Sequence, residues 1–215
     1  MNRYKLSIII PTYNQADKIT IGLDSIPAEP LIETIVINDG STDDTFEVVH
    51  QYIADHPEKD IKLIGWWENR GVQYACNAGY DHAKGEYMVI LGSDGDYFLP
   101  GVLDRAVFEW LDGTDLVFFD IKDNTGHVRK LRPATVAKYP GSTKFMRRAF
   151  VGNIRCPVER RRAEDVVFTR QLLTKRPTMR FTNTVVKHYN YPREGSLTWN
   201  ARHGVTNSIG FPVNE

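Results

Sequence analysis

Val89-Ile90-Leu91-Gly92-Ser93-Asp94-Gly95-Asp96 is an apolar run that ends abruptly in two carboxylates one residue apart, with Tyr97-Phe98-Leu99-Pro100-Gly101 following. The run reads as a buried strand. Two aspartates so close at a strand end repel each other and lose hydration, a cost that a positive group between them relieves. A hard divalent cation, Mg2+ or Mn2+, itself bridging phosphate oxygens, is one such group. The same residues also read as an acidic strand-to-helix turn, with Asp94 or Asp96 capping a helix that begins near Pro100.

Outward from that stretch, the first 120 residues alternate strand and helix. Strands are predicted at Leu6–Ile10, Thr34–Ile37, Ile61–Ile64, Tyr87–Leu91 and Leu116–Phe119. Between them, helical spacing of apolar residues predicts helices over Gln15–Ile26, from Ser41 (with a Ser41 to Asp44 capping-box pattern), over Val72–Ala83 and from about Pro100 to Leu111. Short β-branched runs bridged by such helices predict a mostly parallel sheet with helices on both faces. Ligands bind such sheets at the carboxyl ends of the strands. Pro11-Thr12-Tyr13-Asn14, Asn38-Asp39-Gly40 and Ser93-Asp94-Gly95-Asp96 all fall at those ends and are expected to converge. Past residue 120 the pattern loosens to a hairpin turn at Asp123–Gly126, a helix over Ala163–Thr174 with Val166, Val167, Leu172 and Leu173 inward, and a strand over Thr184–Tyr191. Trp66-Trp67 reads as core in preference to an acceptor-stacking surface.

Composition sets bounds. The 215 residues are long enough for one large domain with a sizeable core. No apolar run approaches the roughly 20 residues of a membrane-spanning helix. The start of the chain does not read as a signal peptide. Cys76 and Cys156 form neither a disulfide framework nor metal-site spacing, so a reducing cytoplasm is expected. Lys and Arg equal Asp and Glu at 27 each, yet residues 1–128 hold 9 cations against 22 acids, and residues 129–193 hold 17 against 3. An anionic partner for the second stretch is one consequence; mutual neutralisation within one fold is the other.

Several of these pieces, in order and over nearly the whole chain, resemble the family-2 glycosyltransferases: Ser7-Ile8-Ile9-Ile10-Pro11-Thr12-Tyr13-Asn14, Ile35-Val36-Ile37-Asn38-Asp39-Gly40-Ser41-Thr42-Asp43, Asn69-Arg70-Gly71 through Asn77-Ala78-Gly79, Gly85-Glu86-Tyr87, the Asp94–Asp96 loop and Glu164-Asp165. The resemblance implies the GT-A fold, a Rossmann-like α/β arrangement in a single domain over 1–215. Residues 1–122 would form the nucleotide-sugar half and 123–215 a basic, acceptor-side extension.

It also implies roles. Asp39 would hydrogen-bond the base of the donor, with Pro11, Thr12 and Tyr13 against base or ribose and Arg70 reaching base or phosphates. Asp94 and Asp96 would hold Mn2+ or Mg2+ on the diphosphate. Asp96 is the favoured direct ligand, Asp94 lies on the ribose or behind the ligand, and His188 is a candidate third ligand. This chain departs from the usual Asp-x-Asp-Asp run, with glycine at positions 92 and 95. Asp165 would be the general base and Glu164 its support or an acceptor contact, although two acids starting a helix also suit its dipole. Arg193 and Ser196 fall in a stretch similar to the family's diphosphate-side Arg-x-Gly-Ser.

The expected activity is metal-dependent, inverting transfer of a sugar from a nucleoside-diphosphate donor, a UDP-sugar foremost, to an acceptor hydroxyl. A polyanionic acceptor gripped through residues 129–193 follows as a hypothesis, either DNA with a hydroxylated base or a phosphate-containing glycan. A nucleotidyltransferase and a non-catalytic nucleotide-sugar or nucleic-acid binding protein are the alternatives.

Overall fold

Leu6–Thr12 (β1) is buried along almost its whole length, and its side chains alternate between two cores. The computed structural model describes residues 3–136, 141–158 and 164–192. Leu6, Ile8 and Ile10 enter one core with Ile19 and Leu23 of α1 (Ile19–Asp24). Ile9 enters the other, with Ala75, Cys76 and Tyr80. Each fully buried side chain of this kind contributes about 1.5–3 kcal/mol. That two-sided burial explains why the strand reads as continuously apolar.

Ile32–Asp39 (β2) lies parallel to β1, and Ile61–Trp66 (β3) lies parallel to β2. Thr45–Asp55 (α2) and Val72–His82 (α3) are the crossovers on opposite faces. Tyr87–Ile90 (β4) is parallel to β1 on its other side. Tyr97–Phe98 (β5) follows the acidic loop. Then come Val102–Arg105 (α4), widening into a π-helical turn at Ala106–Trp110, and Leu116–Asp123 (β6), hairpin-paired with Val128–Arg129 (β7). Lys144–Arg147 (β8), Arg148–Val151 (α5), Glu164–Thr174 (α6) and Met179–Tyr189 (β9) complete the described residues. The sheet order is β3-β2-β1-β4-β8-β6-β9-β5, with β7 on β6.

The mostly parallel α/β reading holds, with differences of detail. β8 inserts antiparallel between β4 and β6, and β5 pairs antiparallel with β9. The first helix starts at Ile19 instead of Gln15; in the segment before it the N–H of Gln15 donates to Thr45 Oγ1 and that of Ala16 to Asp43. The second starts at Thr45, whose N–H is held by Asp43. Ser41 is occupied in a loop bond to Asn38. The predicted Pro100–Leu111 helix becomes α4 plus the π-turn, closed by Leu111 N–H on Ala106 O at 3.1 Å. This register buries Ala106, Val107 and Trp110 together. Trp66 is partly buried, but Trp67 is 99 % exposed, which corrects the reading of both as core. The β6–β7 hairpin forms as predicted. Asp123 Oδ1 accepts the N–H groups of Thr125 and His127 at 3.0 and 3.1 Å.

Candidate functional site

The carboxyl ends of β1, β2 and β4 lie side by side. Thr12 pairs with Asn38 in the β1–β2 ladder, and Leu91, just past β4, donates its N–H to Ile9 O at 2.9 Å. The three loops predicted to converge therefore leave the sheet at one edge. Asn14, at φ +51, ties the first loop to the second: its N–H donates to Ser41 Oγ at 3.0 Å and its Oδ1 accepts the Thr42 N–H at 2.8 Å. Along this wall Pro11 is half-buried, Thr12 buried and Tyr13 exposed. Thr12 Oγ1 is a buried hydroxyl with no hydrogen-bond partner among the described residues, as is the carbonyl oxygen of the Gln15 side chain.

Asp39 ends β2 and is buried. Its Oδ1 accepts the Trp66 indole N–H at 2.7 Å and the Arg70 N–H at 2.9 Å, and Oδ2 accepts the Gly71 N–H at 2.8 Å. The carboxylate thus shapes the 66–71 loop, and Oδ2 retains acceptor capacity for a ligand. The Arg70 guanidinium stands over the Trp66 ring, 5.6 Å from its centre. Gly40, at φ +69, admits the loop: a Cβ there would lie 2.5 Å from the Glu68 carbonyl carbon.

The acidic loop is held from β9. Asp96 is 2 % exposed; its Oδ2 accepts from Lys187 Nζ at 2.9 Å and its Oδ1 from the Asn190 N–H at 2.9 Å. Asp94 is half-buried. Asp94 Oδ1 and Asp96 Oδ2 each stand 3.0 Å from the point a Cβ on Gly92 would occupy, so the missing side chain leaves a gap between two hard oxygens. Oxygen donors beside such a gap fit Mn2+ or Mg2+. His188 does not share it. Lys187 and His188 are successive strand residues and project to opposite faces, and the His188 ring stacks on Tyr97 with centres 4.6 Å apart. Its buried Nδ1 has no partner among the described residues. Those residues contain no group of three or more His, Cys, Asp or Glu arranged to hold a metal.

Asp165 sits in the first turn of α6, away from these strand ends in sequence, and its backbone carbonyl accepts from Thr169 Oγ1 at 2.7 Å. Thr169 in turn accepts from Lys144 Nζ at 2.9 Å. Lys144 is fully buried; burial pushes its ammonium down to about 8, against the pull of Asp165 and Cys156. Tyr80, stacked on Phe168 at 5.3 Å, is raised by its own burial and by Cys156, Cys76 and Asp165 around it. Glu164 is placed by its backbone alone, and Arg193 and Ser196 lie outside the described residues.

Sequence reasoning missed Lys187, Asn190 and Trp66. One signal was available for the first: Lys187 shares a strand face with Tyr189, an odd place for a lysine.

The charge split is in part internal. Among the described residues, Arg129, Arg132, Arg147, Arg155, Arg180 and Lys187 pair with Asp123, Asp120, Asp115, Asp81, Asp112 and Asp96 respectively. No helix among the described residues is long and apolar enough to cross a membrane.

Comparison with known proteins places this arrangement. The model of glycosyl transferase family 2 matches residues 7–167. The uncharacterized glycosyltransferase YwdF of Bacillus subtilis is 34 % identical over 143 residues, 66 % of this chain and 49 % of that one. The crystal structure of Staphylococcus aureus TarS 1–349 in complex with UDP-GlcNAc aligns at TM-score 0.73 and 26 % identity over 89 % of this chain and 60 % of that one. The mannosyltransferase PcManGT of Pyrobaculum calidifontis, in complex with GDP-Man and Mn2+, shares the fold at TM-score 0.74 and 24 % identity, over 94 % of this chain and 61 % of that one. The chain spans less than half the length of the curated relatives it matches.

Proposed function

We propose, from the premise that the chain belongs to glycosyl transferase family 2, that it transfers a sugar from a nucleoside-diphosphate donor, foremost a UDP-sugar, to an acceptor hydroxyl with inversion. The observation that carries this reading is the convergence of Thr12, Asp39 and the Asp94–Asp96 loop at one sheet edge. The TarS complexes with UDP and UDP-GlcNAc support a uridine donor.

Pro11, Thr12, Tyr13, Asp39 and Arg70 receive the base and ribose. The unpartnered Thr12 hydroxyl offers one hydrogen bond and the free side of Asp39 Oδ2 another. Asp94 and Asp96 face the diphosphate, and a bound Mn2+ or Mg2+ there would neutralise charge on the departing nucleoside diphosphate. On the other side of the sugar Asp165 accepts the acceptor's hydroxyl proton as that oxygen attacks the anomeric carbon; the bond from carbon to the phosphate oxygen breaks and the configuration inverts. Glu164 supports the base, and Arg193 and Ser196 complete the diphosphate side. We place the reaction in the cytoplasm, a compartment that suits two buried cysteines not joined in a disulfide.

For the acceptor we retain a polyanion, DNA with a hydroxylated base or a phosphate-containing glycan. Six of the 17 cations of residues 129–193 are answered by acids of the same fold among the described residues, so this part rests on the remainder, the run Arg160-Arg161-Arg162 among them. Acceptor binding that weakens steeply with salt supports it; salt-insensitive binding assigns a neutral sugar instead.

The deciding experiment is a panel of UDP-, GDP-, CMP- and dTDP-sugars with Mn2+ or Mg2+, with Asp165→Asn alongside. Release of nucleoside diphosphate from one donor, lost in the variant while donor binding persists, is the expected result. No binding of any donor refutes the reading.

A further inference from the structure

Asp165, Phe168, Thr169 and Leu172 recur at helical spacing and share one face of α6. That face is the packed one. Phe168 and Leu172 belong to the second core, where the Phe168 ring stacks on Tyr80, and Thr169 is fully buried. Asp165, half-buried, is the first member of the face. At the same end of the helix stands Lys144, also without solvent exposure, whose Nζ donates to Thr169 Oγ1 at 2.9 Å. The Thr169 hydroxyl donates in turn to the Asp165 carbonyl oxygen at 2.7 Å.

Taking an ammonium out of water costs several kcal/mol, and a hydroxyl acceptor returns only part of it. A methionine would fill the same slot without that cost, so packing alone does not call for a lysine here. What the position supplies is positive charge beside Asp165. Burial pushes the ammonium down, and Asp165 foremost, then Cys156, pulls it back up. Tyr80 of α3 faces the same cluster; burial raises it first, followed by Cys156, Cys76 and Asp165. The attraction between Lys144 and Asp165 is mutual: an ammonium there favours the ionised carboxylate, the form in which a general base takes up a proton. The strand fixes where that charge lies. β8 runs antiparallel to β4 with Met146 against Met88, so Lys144, its first residue, lies toward the carboxyl end of β4. From that edge the Asp94–Asp96 loop leaves the sheet.

We propose that Lys144 is a positioning residue for Asp165: through Thr169 it pins the first turn of α6 to the carboxyl edge of the sheet, and its charge holds the Asp165 carboxylate there. That this carboxylate is the general base rests on the function proposed above; the anchor itself does not.

The anchor is read by nuclear magnetic resonance on protein carrying lysine labelled at the ε-carbon, with the Lys144 signal assigned by its through-space contact with the Thr169 side chain. In wild type that signal should titrate at about 8. In Asp165→Asn the pull of the carboxylate is gone, and the midpoint should fall by about half a pH unit or more. An unchanged or raised midpoint overturns the proposal. The positioning is read in turnover of the UDP-, GDP-, CMP- and dTDP-sugar panel. Lys144→Met and Thr169→Val should each lower kcat about tenfold while the KM for donor stays within about twofold, a split that a lysine serving stability alone would not produce. Thr169→Ser keeps the hydroxyl and should recover kcat to within about threefold of wild type. If Lys144→Met does not fold, Thr169→Val beside Thr169→Ser carries this half. Wild-type kcat in Thr169→Val, or a Thr169→Ser as impaired as Thr169→Val, overturns the proposal. Absence of turnover of every donor by the wild type refutes the donor reading instead, and the Lys144 titration then decides the anchor.

Discussion

The indole N–H of Trp66 donates to Asp39 Oδ1 at 2.7 Å, and with the N–H groups of Arg70 and Gly71 it turns one buried carboxylate into the organiser of the whole 66–71 loop. Trp66→Phe keeps a ring beneath the Arg70 guanidinium and removes one donor. The expected cost is about 1–2 kcal/mol in urea unfolding, with UDP affinity reduced severalfold. Asp39→Ala strands three donors at once and should cost more than about 3 kcal/mol. If Trp66→Phe leaves both stability and UDP binding at wild-type values, the clamp does not shape the site.

At the opposite end of the same strands, Glu33 is fully buried and serves as a hub. Its Oε1 accepts from Ser7 Oγ at 2.6 Å, Lys84 N–H at 2.6 Å and Gly85 N–H at 3.1 Å, and its Oε2 accepts from Lys62 Nζ at 3.0 Å. Glu33→Gln can keep the Oε1 bonds and loses the charge opposite Lys62, so about 1–2 kcal/mol is expected. Glu33→Ala strands every partner and should cost about 3–5 kcal/mol. Lying at the amino ends of the strands, neither variant should change the KM for donor in the fraction that remains folded. Thermal melts and steady-state rates check both halves of this expectation.

What the sequence made legible was local, and what it hid was long-range. β1, β2 and β4 could be read because burial on both faces leaves an unbroken apolar run, and their loops could be placed because parallel strands end on one edge. The bonds that tie the segment at Gln15 and Ala16 to Thr45 and Asp43, about a crossover away, could not be read locally. The insertion of β8 between β4 and β6 reverses a strand direction that no periodicity encodes. The acidic loop was legible as chemistry, but the partner of Asp96 was not, because nothing near residue 96 predicts a lysine brought in by β9. The charge asymmetry was visible and its meaning was not: pairs such as Asp115 with Arg147 exist only once the halves are packed together.

Gly79 tests which of two opposing effects governs α3. In a helix interior Ala is favoured over Gly by about 0.5–1 kcal/mol. A Cβ on Gly79, however, would lie 2.2 Å from Ile9 Cγ2 in a fully packed layer between α3 and β1. Overpacking of this kind costs typically 1–3 kcal/mol, so Gly79→Ala should be net destabilising by about 1–2 kcal/mol despite its better propensity. A rise in melting temperature would show that α3 moves off the sheet freely.

Lys144 gives the fold a specific alkaline signature. Burial lowers its pKa from the usual 10.5 to about 8, so the unfolded chain holds this proton over a range in which the folded chain has released it. Stability rises with pH wherever the unfolded state binds more protons. The penalty for keeping Lys144 charged is therefore full at pH 7 and declines as pH climbs from about 8 towards 10.5. Lys144→Met removes that titration and leaves Thr169 Oγ1 without its donor at every pH. The informative quantity is the difference between wild type and variant, because the other titrating groups cancel in it. Wild type should gain about 2 kcal/mol on Lys144→Met between pH 7.5 and 9.5, measured by urea unfolding at each pH. A difference that stays flat across that interval would mean that the ammonium is held charged throughout, with the neighbouring Asp165 outweighing its burial.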